Sequence, residues 1–432
     1  MNNQSVSDTL ALLGGPKLIN RTFSRYNSLG TEEVEAAKRV VEGGVLSQFL
    51  GCWDPDFFGG PKVQEFERQC ESYFGVQHAI TFNSWTSGLV AAVGAVGIEP
   101  GDEVIVSPWT MAASATAILH WNAIPVFADI ERETFCLDPV SIERNISEQT
   151  RAIMSVDICG HSADMDALRK IADKYKLKII SDTAQAPAAM YKGKFAGTLA
   201  DIGGYSLNYH KHIHTGEGGI AVTNDDDYAD RLRLIRNHAE VVVGDKGVTN
   251  LSNMIGHNFR LGEIECAMGI EQLKKLKKQV ESRQRIAKKL DKGLAGLKGL
   301  KVPAVMPDCT HVYYVYPMAL DIAALGISRQ LLHQALCAEG VPALAASYQN
   351  LHLLPMYQKK MAYGSKGFPW TSDICKRYVS YEKGICPVAE RLHESEFLGF
   401  GICSHEFKDE EVDLIIAAFQ KVWSNLHKLH QS

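Results

Sequence analysis

Apolar residues along this chain fall into short continuous runs that alternate with helical patterns. Strand-like runs lie at His78–Phe82, Glu103–Val106, Ile124–Phe127, Ala152–Val156, Lys178–Ser181 and Ile220–Val222. Between them, Ser87–Val96, Ala113–Trp121 and Asp164–Tyr175 read as helices. Short apolar runs bounded by turn residues are buried strands, and strands alternating with helices build a mostly parallel sheet covered on both faces. The pattern predicts an α/β fold from about residue 62 to 225. Ligand sites of such sheets lie beyond the carboxyl ends of the strands, so the chemistry is sought there.

The flanks are different. Thr31-Glu-Glu-Val-Glu35 is the start of a helix, with Thr31 as cap and acids in the first turn, where the helix dipole favours them. Phe49–Pro61 is rich in glycine and aromatic residues, which predicts a loop packed against the body. Leu261–Leu297 is a long amphipathic stretch that predicts a helix linking two domains. Val302–Tyr316 reads as a strand opening a second region, and Asp409–Leu429 as a closing helix. The expected organisation is an N-terminal segment (1–30), a large domain (31–299) and a smaller α+β domain (300–432).

Composition narrows the classes. Two or three domains fit 432 residues, and 46% hydrophobic with 22% charged residues excludes a disordered, collagen-like or low-complexity chain. A formal charge of −5 argues against a nucleic-acid-binding surface over the whole molecule. The ten cysteines include no Cys-x-x-Cys pair, so reduced thiols are expected rather than a disulfide framework or a zinc site. Met1–Gly15 has neither the basic start nor the apolar stretch of a signal peptide, and no run approaches the ~18 apolar residues of a membrane helix. The expectation is a cytoplasmic protein with no nucleic-acid or membrane partner.

One segment carries the chemistry: Ser206-Leu-Asn-Tyr-His-Lys-His-Ile-His-Thr-Gly-Glu-Gly-Gly219. A lysine, Lys211, stands just before a glycine-rich turn. Upstream, the run ending Ile179-Ile-Ser-Asp182 puts a carboxylate at the end of a buried strand. A desolvated lysine becomes a usable amine nucleophile, and a buried aspartate can hold a heteroaromatic nitrogen protonated. Those are the two requirements of pyridoxal 5'-phosphate chemistry. Its phosphate needs a helix N-terminus, which Asn83-Ser-Trp-Thr-Ser-Gly-Leu89 offers after the first strand, with Ser206 as a further hydroxyl. His210, His212 and His214 alternate, and in an extended segment would share a face with Glu217 following. No other ligand pattern supports a metal there, and none is expected.

Order and spacing together resemble the sugar aminotransferases of the DegT/DnrJ/EryC1/StrS family, fold type I pyridoxal-phosphate enzymes. Matching runs are Gly60-Pro-Lys-Val-Gln-Glu-Phe-Glu67, Gly97-Ile-Glu-Pro-Gly-Asp-Glu-Val104, Pro125-Val-Phe-Ala-Asp129, Ala163-Asp-Met-Asp166, Asp182-Thr-Ala-Gln185, Ser206 to Gly219, and Gly256-His-Asn-Phe-Arg260. The resemblance implies a large cofactor domain and a small C-terminal one. It implies Lys211 as the Schiff-base lysine, Asp182 on the pyridine nitrogen and Gln185 beside the cofactor's 3′-oxygen. Thr86, Ser87 and Ser206 would hold the phosphate, with Asn258 reaching it from the other subunit of a homodimer with shared sites. Departures cluster here. Trp85 stands where the family usually has glycine, and Asp157 where histidine is common. Met111 stands where an aromatic residue covers the ring, so Met111, Trp109 or Trp85 is expected to do so. The implied reaction moves an amino group from L-glutamate to a keto- or aldehyde-sugar. The favoured acceptor is the C8 aldehyde of a 3-deoxy-octulosonate used in lipopolysaccharide assembly. A 3-oxo-glucose 6-phosphate or a nucleotide-ketosugar is the alternative acceptor. A sugar dehydratase on the same fold, and a non-catalytic regulator, are the other classes considered.

Overall fold

A computed structural model of the chain describes residues 9–429. Its strands in the first half are β1 (His78–Phe82), β2 (Glu103–Val106), β3 (Ile124–Phe127), β4 (Thr150–Val156) and β5 (Lys178–Asp182). They are followed by a short hairpin, β6 (Met190–Tyr191) and β7 (Lys194–Phe195), and by β8 (Ile202–Ser206) and β9 (Gly219–Thr223). All but the hairpin form one sheet in the order β1-β9-β8-β5-β4-β2-β3. Only β9 runs against the others. Every residue of β2, β3, β8 and β9 is buried, as continuous apolar runs covered on both faces must be.

The helices of this half are α1 (Thr31–Gly43), α2 (Pro61–Phe74), α3 (Trp85–Ala95), α4 (Ala112–His120), α5 (Pro139–Asn145) and α6 (Met165–Tyr175). They are followed by α7 (Asp226–Arg236), α8 (Ala239–Lys246) and α9 (Glu263–Leu294). α3 is apolar almost all round because it is buried almost all round, which a central position requires. The cap of α1 falls one residue earlier than expected: Gly30 is the N-cap, and its N–H is satisfied by Glu33 Oε2 at 2.7 Å. α9 packs Cys266, Ile270 and Leu273 toward one core and Ile286, Leu290 and Leu294 toward another.

That second core underlies an antiparallel sheet of β10 (Leu300–Lys301), β11 (Tyr316–Leu320), β12 (Leu344–Ala345) and β13 (Phe397–Phe400), in the order β10-β11-β13-β12. Here one expectation fails. Val302–Tyr316 is no strand; β11 starts only at Tyr316. The intervening residues cross the larger sheet's loops and satisfy their amides singly, Thr310 N–H on Met190 O at 2.8 Å and Val312 N–H on Gly160 O at 2.8 Å. Tyr313 has a left-handed φ of 52°, which no ladder accepts. The closing helix also divides, into Asp409–Ser424 and Leu426–Leu429.

Residues 346–392 return to the larger sheet. Tyr357 and Tyr381 pack on Phe127 of β3 with ring centroids 5.1 and 5.7 Å apart, and Tyr381 Oη donates to Pro125 O at 2.8 Å. Leu351 N–H donates to Pro108 O at 2.9 Å. The segment covers the β3 edge, which would otherwise present unpaired backbone groups.

Candidate active site

The chain segments just beyond the carboxyl ends of β1, β2, β4, β5 and β8 converge on a cavity of about 200 Å³. After β8 the chain turns sharply: Lys211 N–H donates to Asn208 O at 2.9 Å, and Leu207 N–H to Gly218 O at 2.9 Å. Gly216, at φ +89°, makes the return possible. Lys211 is 7% exposed, with Nζ 4.4 Å from the centre of the Tyr314 ring. Burial lowers its pKa from 10.5 to about 8, against the opposing pull of Asp182 and Cys403. The amine is thus far closer to its nucleophilic form than a surface lysine.

Asp182, the last residue of β5, is 4% exposed and fully engaged. Oδ1 accepts from Trp85 Nε1 at 2.9 Å and from Ala184 N–H at 3.2 Å; Oδ2 accepts from Ser114 Oγ at 2.7 Å. Asp157 lies deeper, at the end of β4. It accepts from Thr183 Oγ1, Ala163 N–H and Ser181 Oγ at 2.7, 2.9 and 3.1 Å. Burial outweighs those donors and pushes its pKa up to about 6. Gln185 is held at both ends: Oε1 accepts from Cys159 N–H at 2.9 Å, and Nε2 donates to Tyr348 Oη at 3.2 Å.

Of the residues singled out in the sequence, Lys211, Asp182, Gln185, Thr86, Trp85, Ser206 and Met111 line this cavity. Three do not. Ser87 turns its hydroxyl to Asn83 Oδ1 at 2.7 Å. Trp109 is wholly buried behind the site against Phe397 and Tyr348, so it cannot cover a ligand ring. Asn258 is exposed and sits by its own chain's Asn83, whose Nδ2 donates to its carbonyl at 3.4 Å. Met111 is 64% exposed at the mouth, whereas Trp85 is 4% exposed at the floor.

The histidine expectation also changes. The segment coils instead of extending, so the three side chains diverge. His210 lines the cavity, buried His212 meets Val312 O at 2.7 Å, and His214 Nδ1 accepts from Gly216 N–H. Among the described residues no group of three His, Cys, Asp or Glu could hold a metal ion. Sequence reasoning missed Ser114, Tyr314 and Tyr348. Tyr314 lay in the aromatic run 311–318, a usable signal; Tyr348 arrives from an irregular segment with none.

The donor set suits pyridoxal phosphate. A buried amine and a buried carboxylate face one cavity, and α3 points its N-terminus, with the exposed Thr86, into it. Asn208, which also lines the cavity, leaves a buried Oδ1 with no partner among the described residues, a group a polar ligand would satisfy.

Comparison with known proteins agrees. A profile of the DegT/DnrJ/EryC1/StrS aminotransferase family matches residues 54–393. The L-glutamine:scyllo-inosose aminotransferase of Streptomyces griseus is 31% identical over 436 residues, covering 98% of this chain and 100% of that protein. The GDP-perosamine synthase of Caulobacter vibrioides is 34% identical over 328 residues, 75% of this chain and 86% of its own. Among solved structures, an aminotransferase from Psychrobacter cryohalolentis superposes with a TM-score of 0.79 at 25% identity, covering 94% of this chain and 100% of that one.

Proposed function

Since the chain belongs to the DegT/DnrJ/EryC1/StrS aminotransferase family, a pyridoxal-phosphate-dependent family of sugar aminotransferases, we propose that it aminates a polyhydroxylated carbonyl compound carrying no nucleotide, with L-glutamate or L-glutamine as donor. The observation that carries the chemistry is the buried Lys211 amine sharing a cavity with the anchored Asp182 carboxylate. Pyridoxal phosphate, when bound, supplies the electron sink. Lys211 Nζ would hold the cofactor and is placed to carry a proton at the cavity, and Asp182 would keep a ring nitrogen protonated. Thr86, Ser206 and the α3 N-terminus would bind the phosphate, and Gln185 would flank the ring.

One observation supports an acceptor without a nucleotide. The scyllo-inosose relative matches nearly the whole chain, whereas the GDP-sugar relative leaves a quarter of it unmatched. The overall resemblance of the sequence implies the C8 aldehyde of a 3-deoxy-octulosonate, and the names of the full-length relatives suggest an inosose. A homodimer completes the site in this reading: Met111 and Tyr209 at the mouth, and Val34 and Val41 on α1, are large apolar groups left exposed. All ten cysteines are free, which suits a cytoplasmic enzyme, and no helix among the described residues is long and apolar enough to cross a membrane.

The test is a panel of scyllo-inosose, the octulosonate aldehyde and a GDP-linked ketosugar, each assayed with glutamate and with glutamine for release of the corresponding keto acid. Turnover of either free acceptor, abolished in Lys211→Ala, is the expected outcome. Turnover restricted to the GDP-sugar would refute the nucleotide-free assignment. Conversion without keto-acid release would mean a dehydratase.

A further inference from the structure

We infer that Trp85 is a positioning residue whose indole N–H locks the Asp182 carboxylate in the orientation the cofactor's ring nitrogen needs, and that Gly88 is the cradle that admits the indole. The inference rests on the aminotransferase reading and adds to it a residue that acts through another.

Trp85 is the first residue of α3, on a turn that otherwise faces the cavity, yet its side chain is 4% exposed. The indole lies back over the helix and the sheet. A Cβ built on Gly88 would meet Trp85 Cε3 at 2.5 Å and Cζ3 at 2.6 Å, well ahead of Phe82 Cδ2 at 3.5 Å. A Cβ on Gly204 of β8 would meet Trp85 Cη2 at 2.1 Å, and the Ile220 carbonyl at 2.3 Å. Glycine inside a helix is unfavourable relative to alanine. At Gly88 the visible return for that cost is room for the indole.

The indole ends on the carboxylate. Nε1 donates to Asp182 Oδ1 at 2.9 Å, while Ser114 of α4 donates to Oδ2 at 2.7 Å. Two side chains from different helices thus fix the plane of one carboxylate, with Ala184 N–H as a third donor. Hydrogen bonds to an ionised acceptor in a dry site are among the stronger kind. An indole N–H only donates and does not titrate, so it holds the carboxylate at every working pH. A catalytic group held this way meets its ligand without reorganising.

The experiment has two arms. In the cofactor-free protein, the Trp85 indole resonance is assigned with Trp85→Phe, and Asp182→Ala is then introduced. The Trp85 Nε1–H signal should move further than those of the other tryptophans, of which the chain has six in all; an equal or smaller shift overturns the contact. In the second arm, Trp85 is replaced by phenylalanine and, separately, by benzothienylalanine, which keeps the indole's shape and lacks its N–H. Both should raise the dissociation constant for pyridoxal phosphate, read by equilibrium dialysis, roughly tenfold. At saturating cofactor both should lower kcat without changing the acceptor's KM. A benzothienyl variant that binds and turns over like wild type overturns the inference. Wild-type protein that binds no pyridoxal phosphate instead sinks the aminotransferase reading, and the first arm still judges the contact.

Discussion

The floor and the mouth of the cavity are built on opposite terms. At the floor, Asp182, Trp85 and Asp157 are each at most 4% exposed, and both oxygens of each carboxylate accept hydrogen bonds from within the chain. At the mouth, Met111 and Tyr209 are 64% and 68% exposed, and Thr86 is also open. The fold thus closes the floor around its own hydrogen bonds and leaves the mouth open to solvent. A buried polar network is costly unless every member is satisfied, so a change at the floor propagates, whereas a change at the mouth stays local.

The sharpest way to break this contrast is Asp182→Asn. Loss of a preorganised charge should lower single-turnover rates by roughly a hundred- to thousandfold, and a fall below tenfold would mean the floor is not where the chemistry is set. The next test is pH. Neutral Lys211 is the reactive form, so the rate at which apoprotein captures pyridoxal phosphate should climb until about pH 8 and then level. A climb continuing into the ordinary lysine range would show the amine is not desolvated.

Asp157 gives a smaller signal of known sign. Its native pKa is raised to about 6, so as pH rises the unfolded chain releases this proton first. The native state then binds more protons, and this group's contribution to stability falls between the ordinary carboxylate range and about pH 6. Denaturant midpoints across that window should lose this component in Asp157→Asn; an unchanged slope would count against it. Tyr348→Phe removes one hydrogen bond to Gln185 and should cost about fivefold in kcat/KM. Met111→Phe at the mouth should change kcat by about twofold or less. If Met111→Phe outweighed Tyr348→Phe, floor and mouth would have to be redrawn.

Much of this was legible in the sequence, for a physical reason. Strands covered on both faces are continuous apolar runs, so β1 to β5 could be read directly, and with them the carboxyl ends that carry Asp182 and the turn before Trp85. β8 was not, because Ile202-Gly-Gly-Tyr-Ser206 has little of the bulk that marks a strand. The stretch 302–315 imitated a strand by its apolar composition, but only His311–Tyr313 of it are buried and its amides bond singly to neighbouring loops instead of to a ladder partner. Trp109 and Trp85 were indistinguishable as candidates to cover a ring. Only packing showed that one lies behind the site and the other holds its acid.

The segment 346–392 has a consequence for how the protein folds. Phe127 and the β3 edge are covered by Tyr357 and Tyr381, and Asp129 accepts from the backbone amides of Val388 and Ala389 as well as from that of Ile130. More than two hundred residues separate Phe127 from Tyr357, so this side of the sheet stays uncovered until a distant part of the chain arrives. Such non-local closure costs loop entropy before its contacts repay it, which makes it a slow step of folding.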